Sequence, residues 1–174
     1  DVISRVGVNR IQKDYLPKEE RGEIIERYKL SDVITEMEKG DWLILTRTNS
    51  LLKPILPQLK RHGLFFQTAQ GNSIGKSLYE DIGYWNQMRD EKEIPDIQKQ
   101  RIKERMHEVD ITLPWQKAFT KVSPSQIEYM DAMIANGEQV DQEPRIKVST
   151  IHGAKGGEAT NVVLFLNQTL NTMA

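Results

Sequence analysis

A short apolar run, Trp42-Leu43-Ile44-Leu45, lies between Gly40-Asp41 and Thr46-Arg47 and constrains this chain more than any other feature. Continuous apolar residues bounded by turn signals read as a strand buried on both faces, as in a parallel sheet. Parallel strands need long crossovers, and the following segment supplies one. Asn49 or Ser50 opens a helix, Leu52, Ile55, Leu56 and Leu59 line its buried stripe, and Gly63 ends it. Proline is tolerated only in a first helical turn, so Pro54 and Pro57 predict a regular helix from about Lys53 with a distortion near Pro57. Leu64–Thr68 then reads as a second strand. Further strands are expected at Arg145–Ile151 and Asn161–Leu166, separated by a glycine-rich turn from His152 to Gly157.

Helical signals fill the remainder. Ser31 can cap a helix over Asp32–Lys39, with Val33, Ile34 and Met37 on one face and Gly40 at the left-handed exit. Glu19–Tyr28 reads as a charged helix, preceded by a weak strand signal at Arg5–Asn9. Ser77 and Glu80 have capping-box spacing at the head of a helix reaching Arg89. From Asp90 to Glu143 the chain is polar and helical, punctuated by Pro95, Pro114 and Pro124. Its clearest helix starts at Ser123 with Pro124 in the first position and Gln126 completing a capping box. Ile127, Met130, Met133 and Ile134 form its stripe, and Gly137 stops it. The expected architecture is α/β: a parallel sheet flanked by helices, with a small helical insertion. The divisions are a connecting segment over 1–40, sheet units over 41–89 and 144–174, and the insertion over 90–143.

Composition adds limits. The 174 residues carry 24 Lys+Arg against 25 Asp+Glu, a net charge of -1, so any nucleic-acid contact must be local rather than spread over a basic domain. With no cysteine, disulfides, thiolate metal sites and thiol nucleophiles are excluded. No apolar run approaches membrane-spanning length, and the first residues lack the pattern of a signal peptide, so a cytoplasmic protein is expected. The chain opens on Asp1 and ends at Asn171-Thr172-Met173-Ala174 without a structural stop, and it reads as a piece of a longer polypeptide.

The chemistry concentrates in Thr150-Ile151-His152-Gly153-Ala154-Lys155-Gly156-Gly157-Glu158-Ala159. In open α/β sheets, ligands collect beyond the carboxyl ends of the strands. Here that position offers a hydroxyl, an imidazole, an ammonium and a carboxylate, and the glycines allow backbone amides close to a phosphate. The same loop also fits a tight solvated turn whose glycines serve only geometry.

This decapeptide resembles the fifth motif of the UvrD/Rep-type superfamily 1 DNA helicases: Thr150, His152, Ala154, Lys155, Gly156 and Glu158 match at the family's spacing. Leu45-Thr46-Arg47-Thr48-Asn49 is similar to the fourth motif, with Thr46 where the family has an aromatic residue. Gly63-Leu64-Phe65-Phe66 and Gly71 resemble the strand and glycine turn that follow. The resemblance implies the second RecA-like motor domain, a P-loop-NTPase-type sheet. It also implies ATP with Mg2+, bound mainly by an N-terminal RecA-like domain of the same chain, and single-stranded DNA as partner. Arg47 is then the catalytic arginine on the ATP γ-phosphate, suited by its planar fork to redistributing phosphoryl charge. Glu158 contacts the ATP ribose, Thr150 and His152 grip the DNA backbone, and Lys155 couples the two. Gly71, Asn72 and Ser73 are candidate backbone contacts to DNA.

Two other readings stand beside this one. A RecA-like fold without the motor would be a non-catalytic interaction module. A stand-alone P-loop nucleotide-binding enzyme would use Lys76, although Gln70 occupies the position where that loop needs its first glycine. His62 and His107 have no partner at metal-ligand spacing. The run Lys99–Arg105 reads as a solvated helix face, and Trp85 and Trp115 as core residues.

Overall fold

A computed structural model of the chain describes residues 22–166. The expected strand at Arg5–Asn9 and the first part of the helix expected over Glu19–Tyr28 lie outside them. Strands β1 (Trp42–Thr46), β2 (Phe66–Thr68), β3 (Gly71–Asn72), β4 (Ile146–Thr150) and β5 (Asn161–Leu164) form one sheet in the order β3-β2-β4-β1-β5. All neighbours are parallel except β3, which closes an antiparallel hairpin with β2 at the edge. Helices α1 (Ser31–Ile34), α2 (Asn49–Leu52), α3 (Leu56–Arg61), α4 (Lys76–Arg89), α5 (Asp96–Lys103), α6 (Trp115–Ala118) and α7 (Pro124–Ala135) flank it. The fold is α/β, as expected, and compatible with a RecA-like arrangement.

Alternation along the strands sorts the side chains. Trp42, Ile44, Ile146, Val148 and Phe66 face one side, where Ile34 and Met37 near α1 and Leu52, Ile55 and Leu59 of the β1–β2 crossover cover them. Phe65 enters the other cluster, made by α4 to α7 around Trp85, Phe119, Met130 and Met133. Adjacent phenylalanines thus serve two cores, and the buried face of α4 belongs with the helical insertion that follows it in sequence. Trp85 and Trp115 both pack edge-on against Phe119, in agreement with their reading as core residues.

Several local expectations are corrected. Residues 22–28 are not helical: Ile24 and Tyr28 are each 95% exposed, and a charged segment without a buried stripe has nothing to offset helix nucleation. The helix after β1 is split. A tight turn in which Ile55 N donates to Leu52 O breaks it ahead of Pro57, which takes a first-turn position in α3. Helix α1 starts at Ser31 itself and passes into a 3-10 turn over Thr35–Glu38, without a side-chain cap. Ile134 is 44% exposed rather than part of the α7 stripe, and Ser123 Oγ meets the Gln126 side chain instead of a backbone amide.

The capping box of α4 is also unmade, because its residues are recruited elsewhere. Asp81 is fully buried, and its carboxylate accepts from Arg101 Nε and Arg105 Nε, each at 2.5 Å. Arg101 also reaches Glu80, and Arg105 reaches Ser77 Oγ. The run Lys99–Arg105 is therefore not merely a solvated face, since a buried carboxylate requires paired, hydrogen-bonded charge. Burial alone pulls the Arg101 guanidinium's pKa down, but its bonds to Asp81 and Glu80 outweigh that and raise it.

Candidate functional site

Parallel register brings the two marked loops together. Thr46 pairs with Thr150, so the ends of β1 and β4 lie side by side and both loops leave the same edge of the sheet. Ile151 N donates to Thr46 O at 2.8 Å, fastening one loop to the other. Thr46 is fully buried and its hydroxyl donates to Thr48 O at 2.9 Å. Thr46 points into the packed layer, so this position offers no stacking surface for a base. Arg47 comes next, exposed at the strand end.

Beyond β4 the chain folds into a compact turn. Ala154 N donates to Thr150 O at 2.9 Å, Gly153 N to Thr150 Oγ1 at 3.1 Å, and Gly157 N to Ala154 O at 2.8 Å. Gly156 takes φ +82°, and a β-carbon on Gly153 would sit 2.9 Å from Ser149 Oγ. Glycine is thus needed here for shape, whatever else the loop does. The turn carries Thr150, half-buried, with His152 and Lys155 exposed.

Glu158 is placed differently. It lies on the leg that descends from Gly157, beside the Leu43 side chain, to Thr160, whose amide donates to Asp41 Oδ2 at 2.8 Å below β1. The Thr160 side chain and that backbone bond hold the Asp41 pKa below its ordinary value. Arg47 therefore sits at the upper edge with Thr150, His152 and Lys155, while Glu158 belongs to the crossover along the flank of β1.

Lys76 opens α4 after the antiparallel edge strand β3, and its ammonium lies 3.7 Å from Glu80. A phosphate loop follows a buried parallel strand and keeps its lysine for the nucleotide, so this placement lends that alternative no support. Gly71 and Asn72 form the short edge strand, and Ser73 donates its amide to Phe66 O at 2.8 Å. The hairpin turn between β2 and β3 opens on the same edge as Arg47, and Lys53, Lys60, Leu56 and Pro57 line a groove with the hairpin, the Lys60 ammonium lying over the Tyr129 ring. Sequence reasoning passed over these two lysines because they look like the ordinary solvent side of a helix. Seven residues apart, they share a helix face whether or not the helix is split.

His62 caps α3, and its carbonyl accepts from Asn136 Nδ2 at 2.6 Å. Among the described residues no group of His, Asp or Glu is placed to hold a metal ion. Nor is any helix among them long and apolar enough to cross a membrane. No family model, curated protein or solved structure matches the chain.

Proposed function

We propose that the chain is the second motor domain of an ATP-dependent superfamily 1 DNA helicase, acting with an ATP-binding domain of the same polypeptide. The observation that carries this reading is the Thr46–Thr150 pairing, which sets Arg47 and the glycine-bounded turn on one open edge. A nucleotide held by the partner domain would meet that edge at Arg47, and a single strand would cross it at Thr150, His152 and Lys155.

The fit is one of donor chemistry. ATP with Mg2+, held mainly by the partner domain, supplies the phosphoryl group whose departure drives the cycle. Arg47 offers a planar, permanently charged donor to that group from a loop held by the Thr46 hydroxyl and the Ile151 amide. The Thr150 hydroxyl, already accepting from Gly153 N, keeps its own hydrogen for a phosphodiester oxygen. Because Ile151 N is bonded to Thr46 O, a shift at Arg47 passes directly to the strand-binding turn. Of the two nucleotide contacts implied by resemblance, the geometry supports Arg47 better than Glu158.

The test is Arg47→Ala in the polypeptide carrying both domains. ATP turnover should fall by about 10³-fold or more, as for other arginines that stabilise phosphoryl transfer, with single-stranded DNA binding retained. Unchanged turnover would remove Arg47 from the mechanism and the motor reading with it.

A further inference from the structure

Asn136-Gly137 is the one Asn-Gly pair in the sequence, and it closes α7 where the insertion meets the sheet. Glycine has no β-carbon, so its nitrogen approaches a preceding asparagine side chain more freely than that of any other residue. Here both partners in that approach are engaged. Gly137 takes φ +71° and its amide donates to Ile134 O at 3.0 Å, while Glu138 N reaches back to Met133 O, the pattern of a glycine-ended helix. The Asn136 side-chain amide donates to His62 O at 2.6 Å and to Gly63 O at 3.3 Å, in the turn between α3 and β2. That turn lies so close to α7 that a β-carbon on Gly63 would stand 2.5 Å from Ala132 C. Both residues of the pair are nonetheless exposed to water.

We propose that Asn136 is a latent deamidation site, protected while α7 is docked on the α3–β2 turn and unable to re-dock once it has reacted. In the reaction the Gly137 nitrogen gives its proton to solvent and attacks Asn136 Cγ. The new C–N bond closes a succinimide ring as the Cγ–Nδ2 bond breaks, and the side-chain nitrogen takes a proton from solvent and leaves as ammonia. Water then opens the ring at either carbonyl and leaves aspartate or isoaspartate. Docking opposes the first step twice. The Gly137 proton is held by Ile134 O, and the side chain is tied to His62 O and Gly63 O. The product opposes re-docking in turn. A carboxylate in place of the amide is an acceptor facing two acceptors. It also lies at the carbonyl ends of both α3 and α7, where negative charge is disfavoured. Detachment of the insertion thus becomes a one-way step.

The whole chain is incubated at mildly alkaline pH, and peptide mapping by mass spectrometry follows conversion at each asparagine. Asn136 should react slowly in the folded chain and fast in the same chain unfolded by urea. Tyr129→Phe, which removes the hydroxyl that fastens α7 to Leu64 O, should speed conversion in the folded chain by about 5- to 30-fold, the factor that one lost buried hydrogen bond makes in an opening equilibrium. Should that variant fail to fold, urea below the unfolding midpoint of the parent chain supplies the same test, and the rate should climb there ahead of global unfolding. Asn136→Asp should lower hydrogen-exchange protection over residues 130–138 more than Asn136→Ala, which loses the donor without adding charge. Conversion as fast in the folded chain as in urea, or a rate that loosening of α7 leaves unchanged, overturns the protection. No conversion even in urea overturns the site itself. An Asn136→Asp chain as well protected as the parent overturns the one-way step.

Discussion

The amide of Ile151 donates to the carbonyl of Thr46 at 2.8 Å, and this bond joins the loop after β1 to the loop after β4. The Thr46 hydroxyl extends the junction by donating to Thr48 O from a fully buried position. Thr46→Val keeps the shape and loses that donor. A net hydrogen bond contributes roughly 1 kcal/mol, and a drop of that size should appear in chemical denaturation. Because the same hydroxyl fixes the backbone on either side of Arg47, the proposed motor function adds that ATP turnover in a polypeptide carrying both proposed motor domains should fall by more than the small stability loss explains.

Tyr129 fastens the insertion to the sheet. Its hydroxyl donates to Leu64 O at 2.7 Å and lies 2.5 Å from Ser73 Oγ. Burial drives the phenol pKa well above its ordinary value, so the group is a neutral hydrogen-bonding hydroxyl throughout the physiological range. Tyr129→Phe would leave the buried Leu64 carbonyl without this donor, at a cost of about 1–3 kcal/mol. Equilibrium unfolding measures it. Protection of the Ser73 amide in hydrogen exchange should fall at the same time, since the hairpin loses its anchor to α7.

The parallel strands were legible from the continuous run Trp42–Leu45 and the alternation of Ile146 and Val148, whereas the antiparallel edge strand Gly71–Asn72 read only as a turn, because its two residues carry no apolar pattern. The turn after Thr150 was equally plain from its glycines. What could not be read were features fixed by partners distant in the chain. Ser77 and Glu80 have the spacing of a cap, yet both turn to arginines beyond α4, because Asp81 beside them is buried and needs neutralising. The split between α2 and α3 depends on the turn closed by Ile55 N on Leu52 O, which the two prolines signal only in part. Glu158 matches its motif by spacing, and its place on the crossover that descends to the Thr160–Asp41 bond is set by residues more than a hundred positions away in the chain.

Asp81 yields a sharp stability prediction. Its carboxylate is completely buried, while the side chains of Arg101 and Arg105 remain 36% and 25% exposed. Removing one partner of a buried ion pair typically costs about 3–5 kcal/mol. Exposure of the arginines lets water compensate them, which places Asp81→Ala near the lower end of that range. The loss should be visible in urea unfolding, with α5 detaching from α4. Adding Arg101→Met and Arg105→Met to Asp81→Leu should recover much of it. If the triple variant is no more stable than Asp81→Ala, the pairing is not what makes the site costly to break.

Asp41 gives the chain an acid-sensitive fastening at the foot of the crossover. Its carboxylate accepts from Thr160, which lowers its pKa in the folded state. A depressed folded pKa means that the unfolded chain binds the proton more readily. The resulting stabilisation is fully present above the unfolded value of about 3.9 and disappears as pH falls through the lower folded value. Asp41→Asn can still accept a hydrogen bond but carries no charge. Its melting temperature should therefore lie below that of the parent at neutral pH and converge with it as the solution is acidified below about pH 4. A gap that stays constant through that window would mean that charge at Asp41 contributes nothing to holding the crossover against β1.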